Sequence, residues 1–393
     1  MAKPKIAFIL GIRPDVIRAS LIINLLKKET DFETVFIWSG QHYSDNLKDI
    51  FFRELEVVKP DIELSAQGKN DAEIVSSIIN KLYPVLEEIK PQAVVYLGDT
   101  NTVASCLAAA QLNIPIVHIE GCMRSYDWRM PEEKYRTMID HLSDLIYAYF
   151  DEYKQQGISE GLNPNNIVVV GNPIVDILNN FYFKRLDYFE SLANEEFFAK
   201  HQVKKGQYYL MTCHRRENVH NPESFQAILK LVTDSNHLVY FPASYRTQQV
   251  IKETQSQLPA NLIMVDPIGY QEFILLLVNS RGVLTDSGTV VEEASVLGVP
   301  SVQMRRATER PQVYDAKSSV KFDPSKAEKY PSAIIYQKLE KISSTKWQHT
   351  LGDGQTSKRI AEDLIRRVKN GQLNGHKAEN YHLSIKRSYQ EDG

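Results

Sequence analysis

The chain has 393 residues, 43% of them hydrophobic and 24% charged, with a formal net charge of −3. That length exceeds what one core usually supports, so two domains are expected. The charge balance leaves no basic surplus for nucleic acid. No run approaches the roughly 18 apolar residues of a membrane span, and the opening MAKPKIAFILG turns polar too soon for a signal peptide. Three distant cysteines, Cys106, Cys122 and Cys213, form neither a disulfide framework nor a paired metal motif, which fits a reduced, cytoplasmic compartment.

Residues 5–10 (KIAFIL) read as a buried strand ending at Gly11, and VIRASLIINLLKK after Pro14 has helical spacing. The alternation continues. TVFIWSG leads to a helix from about Asn46, AVVYLGD to TVASCLAAAQL, PIVHIEG to a helix from about Pro131, LIYAYF to a further helix, and NIVVVGNP to IVDILNNF. Such alternation predicts βαβ units and a parallel sheet covered on both faces. It breaks over 183–206, a polar, aromatic and charged stretch that reads as a link. A second series follows: YYLMTC, a helix from about Pro222, LVYFPA, a helix over 246–257, NLIMVDP and a helix from about Tyr270. The last periodic segment is TSKRIAEDLIRRVKNG, before an aperiodic polar tail. The expected architecture is two doubly wound Rossmann-like domains, 1–182 and 205–366, with a tail over 367–393 and a site in the cleft between the domains.

Residues 282–304, GVLTDSGTVVEEASVLGVPSVQM, hold the sharpest local signal. A short strand passes through Asp286-Ser287-Gly288 into a helix, leaving free N–H groups and a positive helix end, which is a phosphate seat. Ser287 adds a hydroxyl, Gly288 admits close approach, and Glu292 or Glu293 is placed to accept from a ribose. The plain alternative is a capped surface helix.

Polar residues also gather at other strand ends: Arg13, Asp99, His118, Glu120, and His214-Arg215-Arg216-Glu217. In doubly wound sheets those positions border the site. Arg13, His214, Arg215, Ser287, Gly288 and Arg310 suit a diphosphate; Asp99, Glu120, Glu132 and Glu133 suit proton transfer. The sequence carries no H-E-x-x-H metal motif, no G-x-G-x-x-G after the first strand and no G-x-S-x-G elbow.

These residues resemble the non-hydrolysing UDP-N-acetylglucosamine 2-epimerases, whose two-domain fold is called GT-B. The resemblance spans about 5 to 366. It is carried by Gly11-Ile12-Arg13-Pro14-Asp15, Gly40-Gln41-His42, Gly98-Asp99-Thr100-Asn101-Thr102, His118-Ile119-Glu120, Pro131-Glu132-Glu133 and Gly171-Asn172-Pro173. Further motifs are His214-Arg215-Arg216-Glu217-Asn218, Asp286-Ser287-Gly288 with Glu292-Glu293, Thr308-Glu309-Arg310-Pro311 and Gly352-Asp353-Gly354. The resemblance implies elimination of UDP to a glycal and re-addition, with no cofactor and no metal. It implies acid and base roles for Asp99, Glu120 and Glu132, diphosphate contacts for Arg13, His214, Ser287, Gly288 and Arg310, and a ribose contact for Glu293. It also implies a homodimer whose product feeds cell-surface polysaccharide synthesis.

The sequence departs from the family pattern at several places. Arg18 stands at the family's lysine, keeping the charge but not ready proton donation. Gly121-Cys122 replaces Ala-Gly, and Thr289 replaces a glycine above the phosphates. Ser44 and Ser244 stand where allosterically activated relatives have glutamine and histidine. The stretch Tyr126 to Glu133 is similar to the F-D-Q-R-V-P-E-E of relatives acting on deoxy amino sugars such as UDP-N-acetyl-L-fucosamine. A modified-sugar epimerase, a hydrolysing epimerase, a GT-B glycosyltransferase and a non-catalytic nucleotide-sugar binder remain as alternatives.

Overall fold

The computed structural model describes residues 3–40 and 52–373, apart from the side chain of Arg13. Gln41, His42, Ser44, the helix start expected near Asn46 and the tail over 374–393 lie outside the described residues.

The first unit is built on a seven-stranded parallel sheet of order β3-β2-β1-β4-β5-β6-β7. Its strands are β1 (Lys5–Leu10), β2 (Glu33–Trp38), β3 (Ile62–Glu63), β4 (Ala93–Leu97), β5 (Ile116–Ile119), β6 (Leu145–Ala148) and β7 (Ile167–Val169). Its main helices are α1 (Arg13–Lys27), α2 (Asp71–Ile89), α3 (Cys106–Gln111), α4 (Pro131–Leu142) and α5 (Asp151–Ser159). Alternate residues of the central strands point to opposite layers. Ala7, Ile9, Val94 and Tyr96 pack with Ile78, Leu82 and Leu86 of α2. Burial on both faces explains why β1 and β4 read as unbroken apolar runs.

The second unit carries a six-stranded parallel sheet of order β10-β9-β8-β11-β12-β13. It begins with α6 (Pro173–Phe181), α7 (Leu186–Leu192) and α8 (Glu195–Lys200), then β8 (Tyr208–Thr212), α9 (Arg216–Val219) and α10 (Pro222–Thr233). It continues through β9 (Leu238–Pro242), α11 (Tyr245–Glu253), β10 (Leu262–Val265), α12 (Tyr270–Val278), β11 (Val283–Thr285), α13 (Gly288–Leu297), β12 (Ser301–Met304), α14 (Gln312–Asp315), β13 (Ser319–Phe322) and α15 (Ser332–Ser343). One core layer holds Met211, Phe241 and Leu284; the opposite layer holds Leu210, Tyr240 and Val283.

The chain crosses between the units elsewhere than at the expected boundaries. The first unit comprises 3–40, 57–171 and 356–373, and the second 52–56 and 172–355. The stretch 183–206 is not a loose link: it forms a turn and the helices α7 and α8, with Asn194 capping α8 through the Phe197 amide at 2.9 Å and Phe198 entering the core. Helix α6 belongs to the second unit, where Phe181 meets Phe189 and Tyr270 at ring separations of 5.5 and 5.0 Å. The last helix, α16 (Thr356–Lys369), returns to the first unit. There Tyr147 donates to Asp363 at 3.0 Å, Arg359 donates to the Val170 carbonyl at 3.2 Å, and Lys369 pairs with Asp31 at 2.6 Å. Among the described residues no helix is long and apolar enough to cross a membrane.

In each sheet the strand order reverses beside the unit's first long strand, between β1 and β4 and between β8 and β11. The connections leave in opposite directions there, so the loops part and open a crevice at the carboxyl ends. Residues 11–13 and 98–99 border one switch point, and residues 213–215 and 286–288 the other.

Candidate active site

In the first unit, Arg18 projects from α1 with its guanidinium buried between two carboxyls. It donates to Asp15 Oδ1 at 2.9 Å and to Glu120 Oε2, while Glu120 Oε2 also accepts from the Tyr149 hydroxyl at 2.7 Å. A second buried arginine, Arg136 of α4, repeats the arrangement, donating to Glu133 at 2.9 Å and to Asp99. Desolvated guanidinium–carboxylate pairs of this kind fix geometry more than they add stability.

Backbone conformation aims two of these carboxylates. Gly98 has a φ of +82°, and a β-carbon there would stand 3.2 Å from Arg18 Nη2 and 3.4 Å from Asp15 Oδ1. Glycine thus lets the chain pass over the Asp15–Arg18 pair to Asp99. Glu120 has a φ of +76° with a full side chain. A non-glycine residue held in that region carries strain of the kind that collects at functional sites.

Beneath these loops, His118 Nε2 lies 2.7 Å from the Gly98 carbonyl and Nδ1 lies 2.7 Å from Asp140. Asp140 also accepts from Arg124 at 2.7 Å and from the Cys122 amide at 2.9 Å. Burial alone would raise the pKa of Asp140; the His118 ring and the Arg124 guanidinium outweigh it and hold the carboxyl below its ordinary range.

The adjacent glutamates of α4 differ sharply. Glu133 is fully buried and accepts from the amides of Ser125 and Tyr126, at 3.0 and 2.7 Å, and from the Ser125 hydroxyl at 3.0 Å. Its carboxylate therefore organises the loop over 125–130, on which Tyr126 and Trp128 stand 67% and 60% exposed. Glu132 is half-buried and makes no hydrogen bond or ion pair among the described residues. Arg13 opens α1.

In the second unit, Ser287 caps α13 by accepting from the Val290 amide at 3.4 Å. Asp286 does not cap the helix. Its buried carboxylate accepts from the amides of His214 and Arg215, at 3.0 and 2.9 Å, and from the Asn218 side chain at 3.1 Å. The loop after β8 is thereby tied to the loop after β11, leaving the His214 ring half exposed at 3.3 Å from Asp286 Oδ1. Arg215 Nε donates to the Asp286 carbonyl at 3.0 Å. Thr289 is the half-buried second residue of α13.

Arg310 lies across the helix start, donating to Glu292 at 2.6 Å. Glu309 stays 3.5 Å from its Nε and pairs with Arg305 at 2.8 Å. Glu293 faces another way and accepts from the Tyr270 hydroxyl at 2.8 Å; burial and that neighbouring carboxylate push the phenol far above its ordinary range, so it stays a donor. The two glutamates thus separate into an arginine anchor, Glu292, and an acceptor beside a tyrosine, Glu293.

Asp15 and Asn218 lie in sequence motifs without a role of their own, and Arg136, Tyr149 and Tyr270 were not among the expected site residues. Arg136 was signalled by its position three residues after Glu133 on one helix face. Tyr149 and Tyr270 carried no comparable signal, because their roles depend on partners 29 and 23 residues away.

Two parallel α/β units with Rossmann strand order, one presenting a helix start lined by His214, Ser287 and Arg310 and the other a cluster of arginine-held carboxylates, define a nucleotide-sugar enzyme of the GT-B class. The chain belongs to the UDP-N-acetylglucosamine 2-epimerase family, whose profile matches residues 24–365. A UDP-N-acetylglucosamine 2-epimerase of Methanocaldococcus jannaschii is 35% identical over 369 residues, covering 92% of this chain and 98% of the relative. A UDP-2,3-diacetamido-2,3-dideoxy-D-glucuronate 2-epimerase of Pseudomonas aeruginosa is 33% identical over 370 residues, covering 92% and 99%. The crystal structure of the M. jannaschii UDP-GlcNAc 2-epimerase in complex with UDP-GlcNAc and UDP superposes with a TM-score of 0.82 at 33% identity, covering 92% of this chain and 99% of that one.

Proposed function

We propose that this chain interconverts the carbon 2 epimers of a UDP-N-acetylamino sugar, of the UDP-N-acetylglucosamine to UDP-N-acetylmannosamine type, without hydrolysis. The observation that carries this reading is the partition of the two switch points. One presents donors and a helix start for a diphosphate, and the other presents carboxylates held by Arg18 and Arg136.

A carboxylate takes the carbon 2 proton, the C–H pair becomes the C1=C2 bond, and the C1–O pair leaves with UDP. A carboxyl on the other face then protonates carbon 2 and UDP oxygen re-bonds to carbon 1. Asp99, Glu120 and Glu132 are assigned to these transfers. His214, Arg215, Ser287, Gly288, Thr289 and Arg310, with Arg13, hold the diphosphate between steps, and Glu293 takes the ribose. Arg18 serves the chemistry by holding Glu120. UDP is both leaving group and nucleophile, so no cofactor enters. Loss of a proton-transfer residue should cost roughly 3 to 5 kcal/mol of barrier, about 10² to 10⁴ in rate.

A second reading, a modified UDP-amino sugar as substrate, is favoured by the similarity to the P. aeruginosa enzyme, which acts on a diacetamido sugar acid, and by the exposed Tyr126 and Trp128 on the loop that Glu133 holds. In the family's manner the enzyme would work as a cytoplasmic homodimer supplying cell-surface polysaccharide precursors.

The test is incubation with UDP-N-acetylglucosamine in deuterated water, followed by proton NMR. Exchange of the carbon 2 proton with UDP-N-acetylmannosamine appearing is expected. Free N-acetylmannosamine would move the chain to hydrolytic chemistry. Silence on this substrate, with exchange on a UDP-deoxy or diacetamido sugar, would establish the second reading.

A further inference from the structure

We propose that Asp15 is a positioning residue for Glu120: the two carboxyls share the Arg18 guanidinium, and the proton on Asp15 decides how much of it Glu120 receives. The kinetic consequence rests on the epimerase reading above; the protonation itself does not.

The inference starts from a charge count. Arg18 bridges Asp15 and Glu120, and Arg136 bridges Glu133 and Asp99, so among the described residues four carboxyls lie on these two guanidiniums. Asp15, Arg18, Glu120, Glu133 and Arg136 are all buried. Like charges held out of water do not all ionise at once, and the least supported carboxyl keeps its proton.

Asp15 is that carboxyl. It is fully buried, one oxygen meets Arg18, and the other, Oδ2, is a buried atom with no hydrogen-bond partner. An ionised carboxylate would leave an acceptor stranded there; a carboxylic acid leaves a neutral hydroxyl. Glu120, by contrast, accepts from both Arg18 and Tyr149.

The surroundings agree. Arg18 faces Asp15 from its own helix, Asp99 with Arg136 behind it lies beyond the Gly98 turn, Glu120 with Tyr149 lies beyond Arg18, and His118 holds the Gly98 carbonyl from below. Burial raises the carboxyl most, Arg18 pulls it down, Asp99 and Glu120 push it up again, and it settles at about 7.

The consequence is a Glu120 whose base strength follows the state of Asp15. With the proton on Asp15, Arg18 is committed to Glu120 and weakens it as a base. When Asp15 gives its proton to water, Arg18 is divided between two anions and Glu120 becomes the stronger base. The kcat for carbon 2 exchange should therefore step up as pH rises through about 7, by roughly three- to tenfold, the effect of about one pKa of neighbouring charge. KM should not move with it.

Asp15→Asn fixes the neutral form, so the step should vanish with kcat at the lower plateau, and Asp15→Glu should restore a step. A wild-type profile without the step, or an Asp15→Asn profile that keeps it, overturns the proposal; a uniform drop with the step retained assigns Asp15 to structure alone. Should Asp15→Asn not fold, infrared spectroscopy of the wild type with isotope-labelled aspartate decides. A protonated carboxyl band that carries the label shift and fades as pH rises from about 6 to 8, a window bracketing about 7, is expected, and its absence overturns the proposal. Because the infrared measurement needs no substrate, its failure is distinct from failure to turn over a UDP-sugar.

Discussion

Gly288 and Arg310 occupy each other's space: a methyl group on Gly288 would overlap the Arg310 Nε and lie 3.0 Å from its Cδ. Arg310 is buried and anchored to Glu292 at 2.6 Å, so it has little freedom to withdraw. Glycine at the first turn of α13 is therefore what allows a guanidinium to lie across a helix start. Both are placed to donate to an anion at that helix start. Gly288→Ala should weaken UDP binding by about 1 to 2 kcal/mol, roughly five- to thirtyfold, with the fold retained. Calorimetric titration with UDP checks the affinity, and an unchanged value would mean that Arg310 does not serve the nucleotide.

Neighbouring glutamates on α4 should respond oppositely to the same change. Glu132 has no partner among the described residues, so Glu132→Gln should leave thermal stability within about 0.5 kcal/mol of the parent while kcat falls about 10² to 10⁴. Glu133 holds the Ser125 and Tyr126 amides and Arg136. Glu133→Gln should lower stability by about 2 to 4 kcal/mol, because it leaves a buried guanidinium short of its counter-charge. Thermal denaturation beside a turnover assay separates the two. Equal losses of stability would show that the loop over 125–130 does not depend on that carboxylate.

The two parallel sheets were legible because strands buried on both faces read as short apolar runs between Gly or Asp turns, as KIAFIL and AVVYLGD do. Helix α2 was not read. Its start carries a clear signal, Asn70 accepting from the Glu73 amide at 3.0 Å, but Pro84 lies inside it and obscures the pattern. The stretch 183–206 looked like a link because its aromatic residues lack strict periodicity; its helices are held by caps and by Phe198 entering a core formed from β8, β9 and β11. Arg13, Asp99, Glu120, His214 and the Asp286-Ser287-Gly288 turn could be placed at strand ends from pattern alone. The bonds that tune them, Tyr149 to Glu120 and Asp286 to the His214 amide, form between different βα loops and leave no local trace in the sequence.

Asp286 offers a sharper test of what assembles the second switch point. Its carboxylate binds two part-buried amides of the loop after β8 and the buried Asn218 side chain, so Asp286→Ala strips two amides of their acceptor and leaves Asn218 only its bond to the Met304 carbonyl. Each such donor costs roughly 1 to 3 kcal/mol. The variant should lose several kcal/mol of stability and most UDP affinity together, whereas His214→Ala, which removes a half-exposed ring, should lose UDP affinity with little change in stability. Chemical denaturation and titration with UDP on both variants check this. Near-parental stability of Asp286→Ala would show that the loop keeps its shape without the carboxylate.

Asp15 and Asp140 should give the pH dependence of stability opposite signs. Asp140 is held below its ordinary range, so its contribution is full above the unfolded value of about 4 and is lost as pH falls through the folded one. Asp140→Asn should therefore be destabilised at neutral pH and converge on the parent in acid. Asp15 is raised to about 7, so it costs nothing below about 4; the penalty for ionising it grows as pH rises and is complete once pH passes the folded value. That span corresponds to an upper bound on the order of 4 kcal/mol. Asp15→Asn, with no charge to bury, should match the parent near pH 4 and exceed it in stability at about pH 8, provided that Arg18 keeps its contact with Glu120. Denaturant titrations of the parent and both variants across this range would settle the signs. An Asp15→Asn variant less stable than the parent at alkaline pH would mean that folding does not raise the Asp15 carboxyl towards about 7 and that Arg18 depends on its charge.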